Sequence, residues 1–86
     1  MKKKITGVYN SNICNGEITI ISRDSNSVYA NWVMYDDQNI LITSFTNKYF
    51  IGDKILNDIE LINMIAERIL SYRIGRKRVF TEVKII

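Results

Sequence analysis

The stretch Val28-Tyr29-Ala30-Asn31-Trp32-Val33-Met34-Tyr35 decides how the chain folds. Residues two apart share a side of an extended chain, so Val28, Ala30, Trp32 and Met34 form one apolar row and Tyr29, Asn31, Val33 and Tyr35 the other. β-Branched and aromatic side chains suit a pleated, half-buried surface. The stretch therefore predicts a strand, with its first row turned towards a core.

Turn chemistry brackets it. Arg23-Asp24-Ser25-Asn26-Ser27 precedes and Asp36-Asp37-Gln38-Asn39 follows, and short polar side chains of this kind hydrogen-bond their own backbone. Beyond these turns, residues 17–22 and 40–46 read as strands. A further strand is expected over residues 3–9, joined to 17–22 by a turn at Asn15-Gly16, a pair that favours positive φ. Residues 47–56 admit two readings, with Tyr49-Phe50-Ile51 a short strand or a loop anchored by aromatics.

From Asn57 the period changes to 3.6. Ile59, Ile62, Ile65, Ala66 and Ile69, prolonged to Arg73, trace one stripe, while Glu60, Asn63, Glu67 and Ser71 lie on the other side. Asn57 with Glu60 fits a capping box, and Gly75 stands where a helix C-terminus favours a left-handed residue, so the helix is predicted over 58–74. Residues 79–86 then alternate, with Val79, Thr81, Val83 and Ile85 on one face and Phe80, Glu82, Lys84 and Ile86 on the other. The expected fold class is α+β: a mostly antiparallel five-stranded sheet in the order ββββαβ, with one amphipathic helix packed on one face. The alternative is a sheet curled into a small barrel. If the last strand neighbours the fourth, it runs parallel to it.

Eighty-six residues, 47% of them hydrophobic and 24% charged, are enough for one core and too few for two. Met1-Lys2-Lys3-Lys4 imitates the start of a secretory signal, but Thr6, Gly7, Tyr9 and Asn10 interrupt the apolar run a signal needs. The single cysteine, Cys14, has no partner for an internal disulfide, so a cytoplasmic, reducing compartment is expected. Ile, Asn, Lys, Tyr and Phe supply 40 of the 86 residues. All five have A/T-rich codons, which points to an A/T-rich bacterial or phage genome.

Catalytic chemistry is sparse. Histidine, the commonest general base and metal ligand, is absent. Cys14 has no basic neighbour in sequence to activate its thiol. Asp36, Asp37 and Asn39 offer oxygen atoms to a hard cation, yet their spacing is that of a hairpin turn and falls short of a calcium-binding loop. The four glycines match neither a P-loop nor a dinucleotide-binding motif. The chain is read as a non-enzyme with no cofactor or metal.

Two surfaces remain. With Trp32 turned inward, Tyr29, Val33, Tyr35, Leu41, Phe45 and Phe80 are expected on the reverse of the sheet, which a single helix leaves uncovered. Apolar patches of that kind mark contact with another macromolecule or a second copy. On this reading the chain is a small binding protein that occludes a protein partner, such as a phage or mobile-element inhibitor of a bacterial defence nuclease, with a homodimer as another occupant of the face.

The alternative is a nucleic-acid-binding module using Lys2, Lys3, Lys4, Arg73, Arg76, Lys77 and Arg78, seven of the chain's twelve cations. The two clusters are expected at opposite ends of the sheet and so do not form one track. Residues 73–78 also have a plainer account, in which they offset the partial negative charge of the helix C-terminus or pair with Asp36 and Asp37.

Overall fold

A computed structural model describes residues 1–86. The alternating segments become strands β1 (Lys2–Tyr9), β2 (Asn12–Arg23), β3 (Ser27–Tyr35) and β4 (Leu41–Phe50). Helix α1 (Asp58–Leu70) follows, then a two-stranded ribbon of β5 (Arg73–Ile74) and β6 (Lys77–Arg78), then β7 (Glu82–Ile85). The main sheet has the order β4-β3-β2-β1-β7, and every neighbouring pair is antiparallel.

The α+β class is the expected one. The sheet is open, with β4 and β7 as its edges, so the barrel alternative does not apply. The last strand pairs with β1, Ile5 opposite Ile85, because the connection through α1 carries the chain from one edge of the sheet to the other. No parallel pair with β4 arises.

The hairpin between β1 and β2 turns at Asn10 (φ 50°) and Ser11 (φ 66°), five residues before the position read from the sequence. Asn15 and Gly16 lie inside β2, opposite Thr6 and Ile5 on one side and Tyr35 and Met34 on the other. Gly16 is required there for space. A Cβ would overlap the Val33 carbonyl oxygen and sit 2.6 Å from Met34 Sδ.

Two bulges matter more than their size suggests. One leaves Ile21 without a partner in β3, and the other leaves Ile42 unpaired between Leu41, opposite Tyr35, and Thr43, opposite Met34. One extra residue exchanges the faces of everything beyond it. Leu41 accordingly lies on the reverse face, whereas Phe45 lies opposite Trp32 on the core face.

The core forms as the alternation of β3 predicts. Val28, Ala30, Trp32 and Met34 are buried in one cluster with Ile5, Cys14 and Ile18 from the sheet and Leu61, Ile62, Ile65, Ala66 and Ile69 from α1. Each fully buried aliphatic side chain here stabilises the fold by about 1.5–3 kcal/mol relative to exposure. The ambiguous Tyr49-Phe50-Ile51 segment continues β4. Tyr49 and Ile51 enter the core, and Phe50 between them is 74% exposed.

α1 begins as its cap requires. The Glu60 amide donates to Asn57 Oδ1 at 2.8 Å, and the Asn57 amide donates to Glu60 Oε1 at 3.1 Å. Ile59 falls outside the buried stripe, where Leu61 takes its place. The helix stops at Leu70, four residues short of the predicted end, at the C-cap Ser71, whose hydroxyl donates to the Glu67 carbonyl at 3.0 Å. Gly75 (φ 64°) is not a helix cap and serves the turn between β5 and β6.

Candidate functional site

Between Ser71 and Val79 the chain has no apolar period to bury, and its seven residues carry four cations. Tyr72 is half-buried, while Arg73, Ile74, Gly75, Arg76, Lys77 and Arg78 are all exposed. β5 and β6 pair with Arg73 opposite Arg78 and Ile74 opposite Lys77, around a turn formed by Gly75 and Arg76. The Val79 amide donates to the Tyr72 carbonyl at 3.2 Å and extends the ladder towards the body of the molecule. The guanidinium of Arg73 donates to the Arg76 carbonyl at 3.0 Å and stiffens the tip.

This ribbon concentrates positive charge without compensation. Residues directly opposite in an antiparallel pair share a face with Cβ atoms about 4.5–5.5 Å apart, and like charges so placed repel. Arg73 and Arg78 occupy such a pair. The three ion pairs of the molecule join Lys2 to Glu17, Arg23 to Asp58 and Lys84 to Glu82, so none involves the ribbon. Removing the four ribbon cations from the chain's twelve leaves eight against nine carboxylates. The net charge of +3 is therefore a property of this one hairpin.

Asp36 and Asp37, considered above as partners for these cations, form no ion pair with them. Asp36 Oδ1 instead accepts the amides of Gln38 and Ile40, both at 2.9 Å, and shapes the turn between β3 and β4. Arg68 supplies the cation in the last turn of α1, so the ribbon lies beyond the turn where dipole compensation operates.

The N-terminal lysines are placed differently. Lys2 pairs with Glu17 at 3.6 Å, and Lys4 lies opposite Glu17 on the same face. Lys3, opposite Ile18, points to the other face. The Thr81 amide, just beyond the ribbon, donates to the Val8 carbonyl at the far end of β1, about 20 Å along the strand from Lys2. The two clusters do not meet.

An aromatic group stands at the foot of the ribbon. The ring of Tyr72 packs edge-on to Trp32 at 5.3 Å between centroids and lies 5.9 Å from Phe45, while Trp32 also meets Phe80 at 6.2 Å. Trp32 and Phe80 are buried, but Phe45 keeps 38% of its surface exposed. Tyr72 escapes notice in the sequence because the helical stripe read there runs past it to Arg73. Its one signal is an aromatic directly preceding Arg73.

The reverse face differs from expectation in content. Tyr29, Val33 and Tyr35 lie on it, Tyr29 being 43% exposed and the other two half-buried. Phe45 and Phe80 do not, because the bulge at Ile42 turns Phe45 to the core side and Phe80, outside β7, folds wholly inward. The row on β3 is flanked by Glu17 and Thr19 on β2 and by Ser44, Thr46 and Lys48 on β4. Asn31 Nδ2 donates to Thr46 Oγ1 at 2.9 Å in the middle of this face. Leu41, 54% exposed opposite Tyr35, extends the apolar surface at one end, and the rest is a narrow row within a polar field.

Cys14 is fully buried, and burial raises its thiol pKa above the ordinary value. That is the opposite of an activated nucleophile. The largest cleft, about 470 Å³ between the end of β4 and α1, sets Lys54 and Arg68 beside Glu60 and Glu67. No helix is long and apolar enough to cross a membrane. Comparison with protein-family models, curated proteins and solved structures finds no match to the chain.

Proposed function

We propose that the protein binds nucleic acid, holding the phosphate backbone with Arg73, Arg76, Lys77 and Arg78 on the ribbon of β5 and β6. One observation carries this reading: Arg73 and Arg78 are cross-strand neighbours with no carboxylate in ion-pair contact. Their mutual repulsion is relieved by an anion bound between them, and guanidinium groups suit the planar, two-pronged recognition of phosphate. Neutralising phosphates releases condensed counterions, which gives affinity without sequence reading. Lys2, Lys3 and Lys4 lie at the other end of β1 and form a separate cluster.

The test is fluorescence anisotropy of a labelled oligonucleotide titrated with the protein over a range of salt. Binding is expected to weaken as salt rises. The triple change Arg76→Gln, Lys77→Gln and Arg78→Gln should lower the slope of log K against log salt by about 2–3. Affinity indifferent to salt, or a slope unchanged in the variant, overturns the reading.

A second reading keeps the occlusion of a protein partner by the reverse face, and the exposed ring of Tyr29 beside Val33 and Tyr35 favours it. Such a contact is centred on aromatic anchors. In it, Tyr29→Ala weakens capture of the partner while the ribbon variant leaves capture unchanged.

A further inference from the structure

We infer that the nucleic acid held by the ribbon is single-stranded, with a base stacked on Phe45 beside Tyr72 while phosphates along the same strand meet the cations of the ribbon. The inference rests on the phosphate-binding reading and adds to it the state of the strand.

Three observations carry it. Phe45 is on β4, the edge of the sheet, so no further strand flanks it on the outer side. Its neighbours in the same row, Thr43 and Asn47, are half-buried and exposed, and α1 makes its close approach to β7 at the opposite edge. The core face beside Thr43, Phe45 and Asn47 is therefore open to a ligand, whereas Tyr49 further along the same row is buried. Tyr72, 5.9 Å from Phe45 between ring centroids, is joined by a single peptide bond to Arg73.

A base-sized platform thus stands at the foot of a cationic ribbon, with Lys77 on the same side of the ribbon as Tyr72 and Arg73 and Arg78 on the other. Every base has a π-face, so stacking on an aromatic ring is tolerant of sequence but demands an unpaired base. A duplex keeps its bases stacked within itself and offers the ribbon phosphates alone. Trp32, buried beneath and itself packed on Phe80, holds the two outer rings in position and takes no part in contact.

The experiment compares three labelled probes of about 12 nucleotides, a length within the usual footprint of single-strand binders: oligothymidylate, a strand of the same length made of abasic sites, and a blunt duplex. All are titrated with the full chain at about 50 mM salt. Oligothymidylate should bind about tenfold more tightly than the abasic strand, the contribution of one stacked base. Phe45→Leu, which keeps an apolar group against Trp32 but removes the ring, should erase that difference and leave abasic-strand affinity unchanged. Equal binding of oligothymidylate and abasic strand by the wild-type protein overturns the inference and leaves phosphate binding intact. Tighter binding of the duplex overturns it as well. Failure to bind any of the three removes the phosphate-binding reading itself.

Discussion

β3 and the ribbon of β5 and β6 are both extended chain, and they are held in opposite ways. β3 is paired along both edges, and its row Val28, Ala30, Trp32 and Met34 is buried. The ribbon pairs two residues with two, buries neither pair, and sets one arginine against another. What fixes β3 is the removal of apolar surface from water, and any change there is felt by every element that touches it. The ribbon is fixed by a glycine turn, a few backbone bonds and the Arg73 guanidinium on the Arg76 carbonyl, which leaves the side chains of Arg76, Lys77 and Arg78 free of any packing role. Where side chains owe nothing to the fold, their chemistry is available for something else.

Substitutions can be ordered along this contrast. The largest loss is expected for Trp32→Ala, which empties the centre of the aromatic group and should cost about 3–5 kcal/mol. Against a total of about 5–15 kcal/mol for a domain of this kind, that suffices to shift most of a urea transition. A midpoint unchanged within error would mean that the core is not organised around Trp32.

Two glycines make the next comparison. Gly16→Ala pushes a methyl group into Val33 and Met34 and should cost at least the roughly 1–3 kcal/mol of an overpacked interior. Gly75→Ala meets no neighbour within 4 Å, so its cost is only that of a left-handed backbone, about 1–2 kcal/mol. Thermal melts of the two should keep that order, and a reversed order would place the ribbon turn within the cooperative core. A smaller effect belongs to Asn57→Ala, which removes one half of the capping box and should cost about 1 kcal/mol. That is near 4–8 °C for a chain of this size. Asn57→Asp should recover it, since the carboxylate accepts the same amide and favours the positive end of the helix.

What could be read from the sequence divides along the same line. β3 was legible because its period of two runs unbroken from Val28 to Tyr35, and the capping box because it spans only Asn57 to Glu60. The face of Phe45 was not legible. It depends on the bulge at Ile42, which is fixed by register against β3 and leaves no mark in residue type. Asn10-Ser11 and Asn15-Gly16 both suit a turn, and only the neighbours of Gly16 decide between them. The cations of residues 73–78 stand out in the sequence. Their exposure, their pairing across a ribbon and the lack of a carboxylate in ion-pair contact with them belong to the tertiary arrangement.

The smallest effect on stability is expected where the effect on binding is greatest. Arg76, Lys77 and Arg78 are exposed and join no ion pair, so replacing all three with glutamine removes no packing and no attractive charge contact. It also leaves Arg73 opposite a neutral side chain, which relieves repulsion that opposes folding. The melting temperature should stay the same or rise slightly, within the roughly 0.5 kcal/mol typical of surface changes. Because repulsion among cations is screened by ions, any gain should be largest at low salt and fade as salt is added. A clear loss of stability in the glutamine variant would show that the ribbon shares in the fold, and the separation between the two regions would fail at that point.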